Sequence, residues 1–327
     1  MPSDRADPRI IALDWGTTSL RAYLLGEGGL VLDRRSEALG ILQIPERDFA
    51  GVFDTVTRDW RARHGDMPAI ASGMIGSAQG WLEVPYVDVP ADVDAVARAL
   101  AVEPESGLRI VPGLAQRDPV PDVMRGEETQ LFGAMTHSAL LARAGRVVLP
   151  GTHSKWARVA DGRIEAFATY MTGELFAVLR GHSILGRLAG ADSSSGMAAG
   201  PAFLRGVRTA RDATAGLASF LFSARSAVLI GDLPAEDSLD YLSGLLIGDE
   251  VRSGLAIGEP PRAIIGEPAL CQRYIAALAQ FDIRDVELLG DTGPAGLWHI
   301  GRHALDALQR ADGASRRPVS DRVNKLG

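Results

Sequence analysis

Cysteine is nearly absent from the sequence, since Cys271 is the only one among 327 residues. A single cysteine cannot form an intrachain disulfide, which favours a reducing compartment such as the cytoplasm. Basic residues are outnumbered too, with 34 Lys and Arg against 41 Asp and Glu. The resulting net charge of −7 argues against a nucleic-acid partner, because phosphate backbones require a basic surface. An anionic small molecule needs only a few local cations and stays compatible with this balance.

Long apolar runs are missing as well. No stretch reaches the roughly 20 residues of a membrane-spanning helix, so we expect no membrane partner. The first residues, MPSDRADPR, have no apolar segment of the kind found in signal peptides, which again favours a cytoplasmic protein. The length of 327 residues predicts two domains.

Glycine is abundant, with 37 residues, and Gly16 lies within Arg9–Leu25, the stretch around which the chain is organised. A short apolar run ends in Asp14, and Gly16, Thr17 and Thr18 precede a second apolar run. Amide and hydroxyl groups in such a turn can face an anion, and a carboxylate at the end of a strand can hold Mg²⁺. A plain hairpin with a polar turn explains the same residues equally well.

The same layout recurs about 135 residues later in the chain. Arg146–Leu149 is predicted as a buried strand, and Gly151, Thr152 and His153 precede another strand. Two hairpins of one design predict two related domains, each with a phosphate-binding turn. The predicted domains are 8–140 and 141–315, with flexible tails at 1–7 and 316–327.

A glycine-rich loop, Ser72–Trp81, follows a predicted short strand. Loops at strand ends often form pockets, and Met74, Ser77 and Trp81 are the candidates for its lining. A flexible surface loop is the alternative, although the large apolar side chains favour a pocket.

A helix is predicted to start just after Gly126. Glu127 at its first turn is a candidate general base, and Arg125 is a candidate partner for an anionic ligand. Acidic residues also stabilise a helix N-terminus without any chemistry, and Arg125 could form an ordinary surface ion pair. Both alternatives remain open at this level.

The order of these motifs resembles the actin-like superfamily of sugar kinases, Hsp70 and actin. Asp14–Arg21 looks like its first phosphate motif, Gly151-Thr152 like its second, and Gly266–Tyr274 occupies the place of its adenosine motif. The resemblance is closest to the 2-dehydro-3-deoxygalactonokinase family and covers nearly the whole chain. It is carried by DWGTTSLRA, ASGMIGS, GWLEVPY, MRGEETQLFGA, LPGTHSKW, TGEL and LSGLLIG.

This resemblance implies an α/β, two-domain actin-like ATPase (ribonuclease H-like) fold, each domain a mixed sheet flanked by helices, with an interdomain cleft. It also implies ATP-dependent phosphorylation of 2-dehydro-3-deoxy-D-galactonate at its 6-hydroxyl, a step of galactonate catabolism. Asp14 would then organise Mg²⁺ and Gly266 would border adenosine. The ATP phosphates would be cradled by Gly16, Thr17, Thr18, Gly151 and Thr152, and His153 would contact phosphate or substrate.

In related carbohydrate kinases a Gly-Asp pair before the Leu-Phe-Gly helix carries the base, and here Gly126-Glu127 stands in that place. The resemblance therefore implies Glu127 as the base, with Glu replacing the commoner Asp. The substrate carboxylate requires a cation, for which Arg125 is the first candidate and Lys155 the second. The second turn reads GTHS rather than a double glycine, and Glu267 follows Gly266 where a second glycine is usual.

Two other functions fit the same resemblance. One is a related kinase for another sugar acid or sugar, and the other is a non-enzymatic actin-like nucleotide switch. The sequence does not determine the oligomeric state, with which a homodimer is compatible.

Overall fold

The computed structural model describes residues 7–188 and 199–315. The predicted tails therefore lie outside the described residues, except for Asp7. The chain separates into two compact units, and each is described by itself. The first comprises Met1–Val87, Ala91–Leu114 and Gly293–Gly327, and the second comprises Asp88–Pro90 and Ala115–Thr292. Within the described ranges, no helix is long and apolar enough to cross a bilayer.

Strands and helices are mixed along the chain. The strands are β1 (Ile10–Trp15), β2 (Leu20–Leu25), β3 (Val31–Glu37), β4 (Ala69–Ser72), β5 (Val87–Asp88), β6 (Ala91–Asp92), β7 (Ala101–Val102), β8 (Arg109–Ile110), β9 (Leu114–Gln116), β10 (Asp122–Met124), β11 (Ala144–Leu149), β12 (Ser154–Ala160), β13 (Arg163–Tyr170), β14 (Ala263–Ile265) and β15 (Glu287–Leu289). The α-helices are α1 (Phe49–His64), α2 (Val93–Arg98), α3 (Glu127–His137), α4 (Ala139–Arg143), α5 (Thr172–His182), α6 (Pro201–Asp212), α7 (Leu217–Phe220), α8 (Ser223–Leu229), α9 (Ser238–Ala256), α10 (Pro268–Ala279) and α11 (Gly293–Ser315).

The sheet of the first unit has the strand order β3-β2-β1-β4-β8-β7. β2 is antiparallel to both β1 and β3, whereas β4 is parallel to β1 and β8 is parallel to β4. β1 is central and its apolar residues are buried, as expected for a strand covered on both faces. Asp14 lies opposite Arg21 of β2 and Ser72 of β4.

The sheet of the second unit repeats this arrangement, with the neighbours β13-β12-β11-β14-β15. β12 is antiparallel to β11 and β13, while β14 is parallel to β11 and β15 is parallel to β14. Strand order and strand direction thus agree between the two units. The predicted duplication is confirmed, and with it the mixed α/β fold of ribonuclease H-like type.

Each unit has its own apolar core. In the first, the helical stripe of α1 buries Phe53 and Trp60 against the sheet, as the 3.6-residue pattern predicts. In the second, Trp156, Phe203 and Cys271 lie in one buried cluster. Burial raises the pKa of the Cys271 thiol to about 11, so it stays protonated.

The units differ in their bounds from the predicted domains 8–140 and 141–315. The last helix, α11, packs against β1 and β4 and so belongs to the first unit. The helix α3 packs on α4, which in turn packs against β11 and β12, and this places residues 115–140 in the second unit. Sequence order alone could not reveal that the chain returns to its first sheet at its end.

Candidate active site

The first turn, residues 16–19, joins β1 to β2. Gly16 N donates to Ser19 O at 2.9 Å and closes the turn, while Thr17 and Thr18 are exposed. The turn is held by a neighbouring segment, because Ile41 N donates to Gly16 O at 3.0 Å. A Cβ on Gly40 would lie only 2.3 Å from Thr17 O, so only glycine allows this close approach. The turn is thus fixed from one side and leaves its two threonines open.

Asp14 lies beside this turn, and its side chain is 30% exposed. Its Oδ2 accepts from Arg21 Nη1 at 3.2 Å. The loop after β4 begins next to it, since a Cβ on Gly73 would be 3.5 Å from Asp14 Oδ1. Within the residues that the structure describes, no group of three His, Cys, Asp or Glu could hold a metal. Mg²⁺ is commonly bound through one or two carboxylates together with substrate phosphates, so a single accessible acid fits this role.

The glycine-rich loop of residues 73–81 is anchored to the first core. The Trp81 ring stacks on Phe49, with centroids 6.3 Å apart, and meets Trp15 edge-on. Met74 packs against the same core, and Ser77 Oγ donates to Met74 O at 2.7 Å. These three predicted pocket residues therefore hold the loop in place, and their role in lining a sugar-acid site stays a prediction.

The second turn, residues 150–153, joins β11 to β12. Gly151 N donates to Ser154 Oγ at 3.3 Å, and Glu174 N at the start of α5 donates to Thr152 O at 3.0 Å. A Cβ on Gly173 would lie 2.5 Å from Gly151 O, so α5 packs directly on the turn. A Cβ on Gly151 itself would meet no described atom within 4 Å. The backbone here is bare, which suits close approach of a phosphate.

Two further predicted residues adjoin the second turn. The exposed His153 hydrogen-bonds Glu174 through Nε2. Gly266 follows β14 with φ +155°, and a Cβ on it would be 3.4 Å from Pro150 O. Glu267 caps α10, accepting from Leu270 N at 2.8 Å, and these backbone hydrogen bonds lower its pKa. The departure from a second glycine therefore has a structural reason, the capping of α10.

Glu127 and Glu128 open α3 after Gly126, whose φ is +108°. Glu127 Oε2 accepts from Arg125 N at 3.0 Å, and Glu128 Oε2 accepts from Gly126 N at 2.7 Å. Both acids therefore do stabilise the helix N-terminus, as one interpretation of the sequence predicted. Glu128 is fully buried and Glu127 is partly buried, which ordinary capping does not require.

The two carboxyls differ in their electrostatic surroundings. Burial raises the pKa of Glu127, and the Lys155 ammonium opposes that rise. Burial raises the pKa of Glu128 to about 8, and the neighbouring Glu127 charge adds to that rise. The cation beside Glu127 therefore favours its ionised form, whereas burial and the neighbouring charge favour the protonated form of Glu128. Glu127 is thereby suited to accept a proton.

Lys155 is buried close to Glu127 and is held by two hydrogen bonds. Its Nζ donates to Thr169 Oγ1 at 2.7 Å and to Val123 O at 3.0 Å. Thr169 Oγ1 in turn donates to Asp122 Oδ1 at 2.7 Å. The structure thus brings together Arg125, Glu127 and Lys155 in the second unit. Sequence reasoning missed Asp122 and Thr169, which lie far apart in the chain and carry no local motif.

A buried acid beneath the second turn was missed as well. Glu250 is 2% exposed and accepts from Trp156 Nε1 at 2.8 Å and from Tyr274 Oη at 2.6 Å. The signal in the sequence is an acidic residue within the apolar helix LSGLLIGDEV. Such a position predicts a satisfied buried acid, but not its partners.

Comparison with known proteins identifies the family. Residues 14–300 match the family model described as 2-keto-3-deoxy-galactonokinase. The chain belongs to this family. A relative from Escherichia coli (strain K12), named 2-dehydro-3-deoxygalactonokinase, is 37% identical over 91% of this chain and 98% of its own length. Another from Rhizobium meliloti (strain 1021), named probable 2-dehydro-3-deoxygalactonokinase DgoK1, is 43% identical over 75% of this chain and 80% of its own.

A solved structure agrees with the family match. The crystal structure of a Sinorhizobium meliloti protein, assigned as a 2-dehydro-3-deoxygalactonokinase, is similar with a TM-score of 0.83 and 37% identity. The similarity covers 90% of this chain and 98% of that one. The family predicted from the sequence, a family of carbohydrate kinases, is confirmed. The assignment of individual site residues stays a prediction.

Proposed function

We propose that this 2-keto-3-deoxygalactonokinase family member phosphorylates 2-dehydro-3-deoxy-D-galactonate with ATP. The product is 2-dehydro-3-deoxy-6-phosphogalactonate, formed in the cytoplasm during D-galactonate catabolism. The observation that carries this proposal is the match to the Escherichia coli enzyme over 98% of that protein's length. The matched family model, residues 14–300, spans every segment from which the residues below are drawn.

The two turns serve the nucleotide. In the first unit, the exposed Thr17 and Thr18 next to Gly16 bind phosphate, and Asp14 supplies a ligand for Mg²⁺. Bound Mg²⁺ would neutralise phosphate charge as the phosphoryl group is transferred. In the second unit, the bare backbone of Gly151 and Thr152 binds phosphate. The remaining contacts proposed for the nucleotide are His153 and Gly266.

Glu127 acts as the general base. The 6-hydroxyl oxygen attacks the γ-phosphorus, the bond to ADP breaks, and the hydroxyl proton passes to the Glu127 carboxylate. Arg125 binds the substrate carboxylate, because its planar fork can grip two oxygens at once. Lys155 is the second cation, since two of its three donors are already used by Thr169 and Val123. Met74, Ser77 and Trp81 line the sugar-acid site.

ADP release measured with and without 2-dehydro-3-deoxygalactonate tests the proposal. We expect release to depend on the sugar acid, and a panel of other sugar acids and sugars to support much slower release. Slow ATP hydrolysis that ignores every acceptor would contradict a kinase and indicate a nucleotide switch. Faster release with another member of the panel would instead reassign the substrate.

A further inference from the structure

We propose that Glu250 is a positioning residue for nucleotide binding, which acts through Tyr274 and Ser154 on the turn formed by residues 150–153. No motif or family description points to this residue. The inference rests on the proposed function in one respect, namely that this turn binds phosphate. Among the described residues, Glu250 forms its hydrogen bonds with side chains and not with the backbone of the turn, so its influence has to be transmitted by other side chains.

The transmission is a line of hydrogen bonds within the second unit. Tyr274 Oη donates to Glu250 Oε2 at 2.6 Å, and Ser154 Oγ lies 2.8 Å from Tyr274 Oη. Gly151 N donates to Ser154 Oγ at 3.3 Å. Because the tyrosine proton is committed to the carboxylate, the Ser154 hydroxyl has to donate to Tyr274. Its lone pairs then face the Gly151 N–H, and the whole line runs in one direction.

The carboxylate at the end of this line joins three elements that surround the turn. Its donors are Trp156 on β12, Tyr274 on α10 and Thr172 at the start of α5. All three are neutral, so burial still raises the pKa of Glu250 to about 7. Burying an acid that is held only by neutral donors costs stability, because its charged form loses solvation by water. Its benefit is that an ionised carboxylate only accepts, and therefore orients every donor around it.

A neutral amide at this position would not do the same. Its NH₂ group would face either the Trp156 N–H or the Tyr274 hydroxyl, and the line toward Ser154 would lose its fixed direction. The Gly151 N–H would then compete for a serine oxygen that also accepts from Tyr274. The backbone of the turn would be less well defined before the nucleotide arrives, and binding would have to order it.

Tyr274→Phe tests this inference because it removes one hydroxyl and leaves the ring in place. We expect the Kd of a non-hydrolysable ATP analogue, measured by calorimetry, to rise about tenfold. The KM for ATP should rise in parallel, while kcat and the KM for the sugar acid stay within about twofold. An unchanged Kd would overturn the inference.

Tyr241→Phe is the matched control. Tyr241 is a buried tyrosine on α9 of the same unit. Its hydroxyl hydrogen-bonds Ser223 Oγ at 3.1 Å and Thr209 Oγ1 at 3.2 Å, neither of which belongs to the line that ends at Glu250. We expect both variants to lower the melting temperature to a similar degree, and only Tyr274→Phe to weaken binding of the analogue. Equal weakening in both would show a general loss of stability and refute the role of Glu250.

A double variant checks that the hydrogen bonds act as one line. Ser154→Ala breaks the middle link, so the Tyr274→Phe/Ser154→Ala protein should bind the analogue as weakly as either single variant. Additive losses would mean that the two residues act separately. Kinase activity distinguishes this inference from the proposed function. A protein that phosphorylates the sugar acid but tolerates Tyr274→Phe refutes only the inference, whereas acceptor-independent ADP release with an intact Kd shift refutes only the kinase assignment.

Discussion

The two hairpin turns share one topology and differ in what holds them. The turn of residues 16–19 is gripped by the backbone of the following segment, with Gly40 at the closest approach. The turn of residues 150–153 is gripped by the start of α5 and by the hydrogen-bonded line that ends at Glu250. The carboxylate beside the first turn is partly exposed, while Glu128 and Glu250 of the second unit are buried.

The shared strand order therefore determines the backbone path of each turn, but not which side chains surround it or how buried their carboxylates are. A partly exposed acid such as Asp14 is accessible to a cation. Buried acids such as Glu128 and Glu250 instead hold protons or orient donors, because the charged form is disfavoured away from water. We infer that the first unit carries the metal-binding side of the reaction and the second unit its acid–base side.

The largest expected effect tests the acid–base side. Glu127→Gln keeps the size and capping ability of the side chain but cannot accept a proton, so turnover should fall roughly 10²- to 10⁴-fold. ATP binding, measured by calorimetry, should change little. The neighbouring Glu128→Gln is the control, since that acid already holds its proton, and it should keep turnover within a few-fold. Near-normal turnover in Glu127→Gln would show that Glu127 is not the general base and that the second unit does not carry the acid–base step through it.

A smaller effect tests the metal-binding side. Asp14→Asn should lower turnover about a hundredfold, which corresponds to about 2.7 kcal/mol of barrier, and should raise the Mg²⁺ concentration needed for half-maximal rate. The rate is measured across a Mg²⁺ titration. Asp59→Asn is the matched control, because Asp59 is likewise an accessible acid of the first unit paired with an arginine, at 3.3 Å. Identical titrations for wild type and Asp14→Asn would remove Asp14 from the metal site.

The smallest effect concerns stability. Glu128 has a pKa of about 8 in the folded protein against an ordinary 4.5, so the folded state holds a proton that the unfolded state has released. Stability should therefore fall as pH rises from about 4.5 to 8, by at most roughly 1.4 kcal/mol per pH unit from this group. Glu250 also has a raised pKa, of about 7, so above pH 7 it no longer adds to the fall of stability with pH.

Urea unfolding at several pH values measures this dependence. Glu128→Gln should flatten the decline, most clearly between pH 7 and 8, because the amide does not titrate. A variant whose stability falls as steeply as that of the wild type would show that Glu128 is not the group responsible.

Local patterns in the sequence predicted the elements that short-range physics determines. The strand–turn–strand at Asp14 and its repeat at Gly151 are both present. These features depend on apolar runs and on turn residues that are neighbours in the chain.

Long-range contacts could not be read in this way. Gly40 is required because its backbone lies against Thr17. Glu250 is linked to the second turn by a tyrosine 24 residues later and a serine 96 residues earlier. Glu127 was a candidate base from its place after Gly126 and from the family resemblance, whereas the influence of Lys155 on it required coordinates. The bounds of the units differ from the predicted domains for the same reason. The apolar pattern of α11 predicts a helix but does not show which sheet the helix packs against.

The single thiol of the chain has a practical consequence. Cys271 is fully buried and remains protonated at neutral pH, so alkylating reagents cannot reach a reactive sulfur while the second core is closed. Every modified molecule must first have opened around α10. The rate of modification therefore measures how often the region around α10 opens. A slower rate with bound nucleotide would show how much the ligand stabilises the closed state of that region.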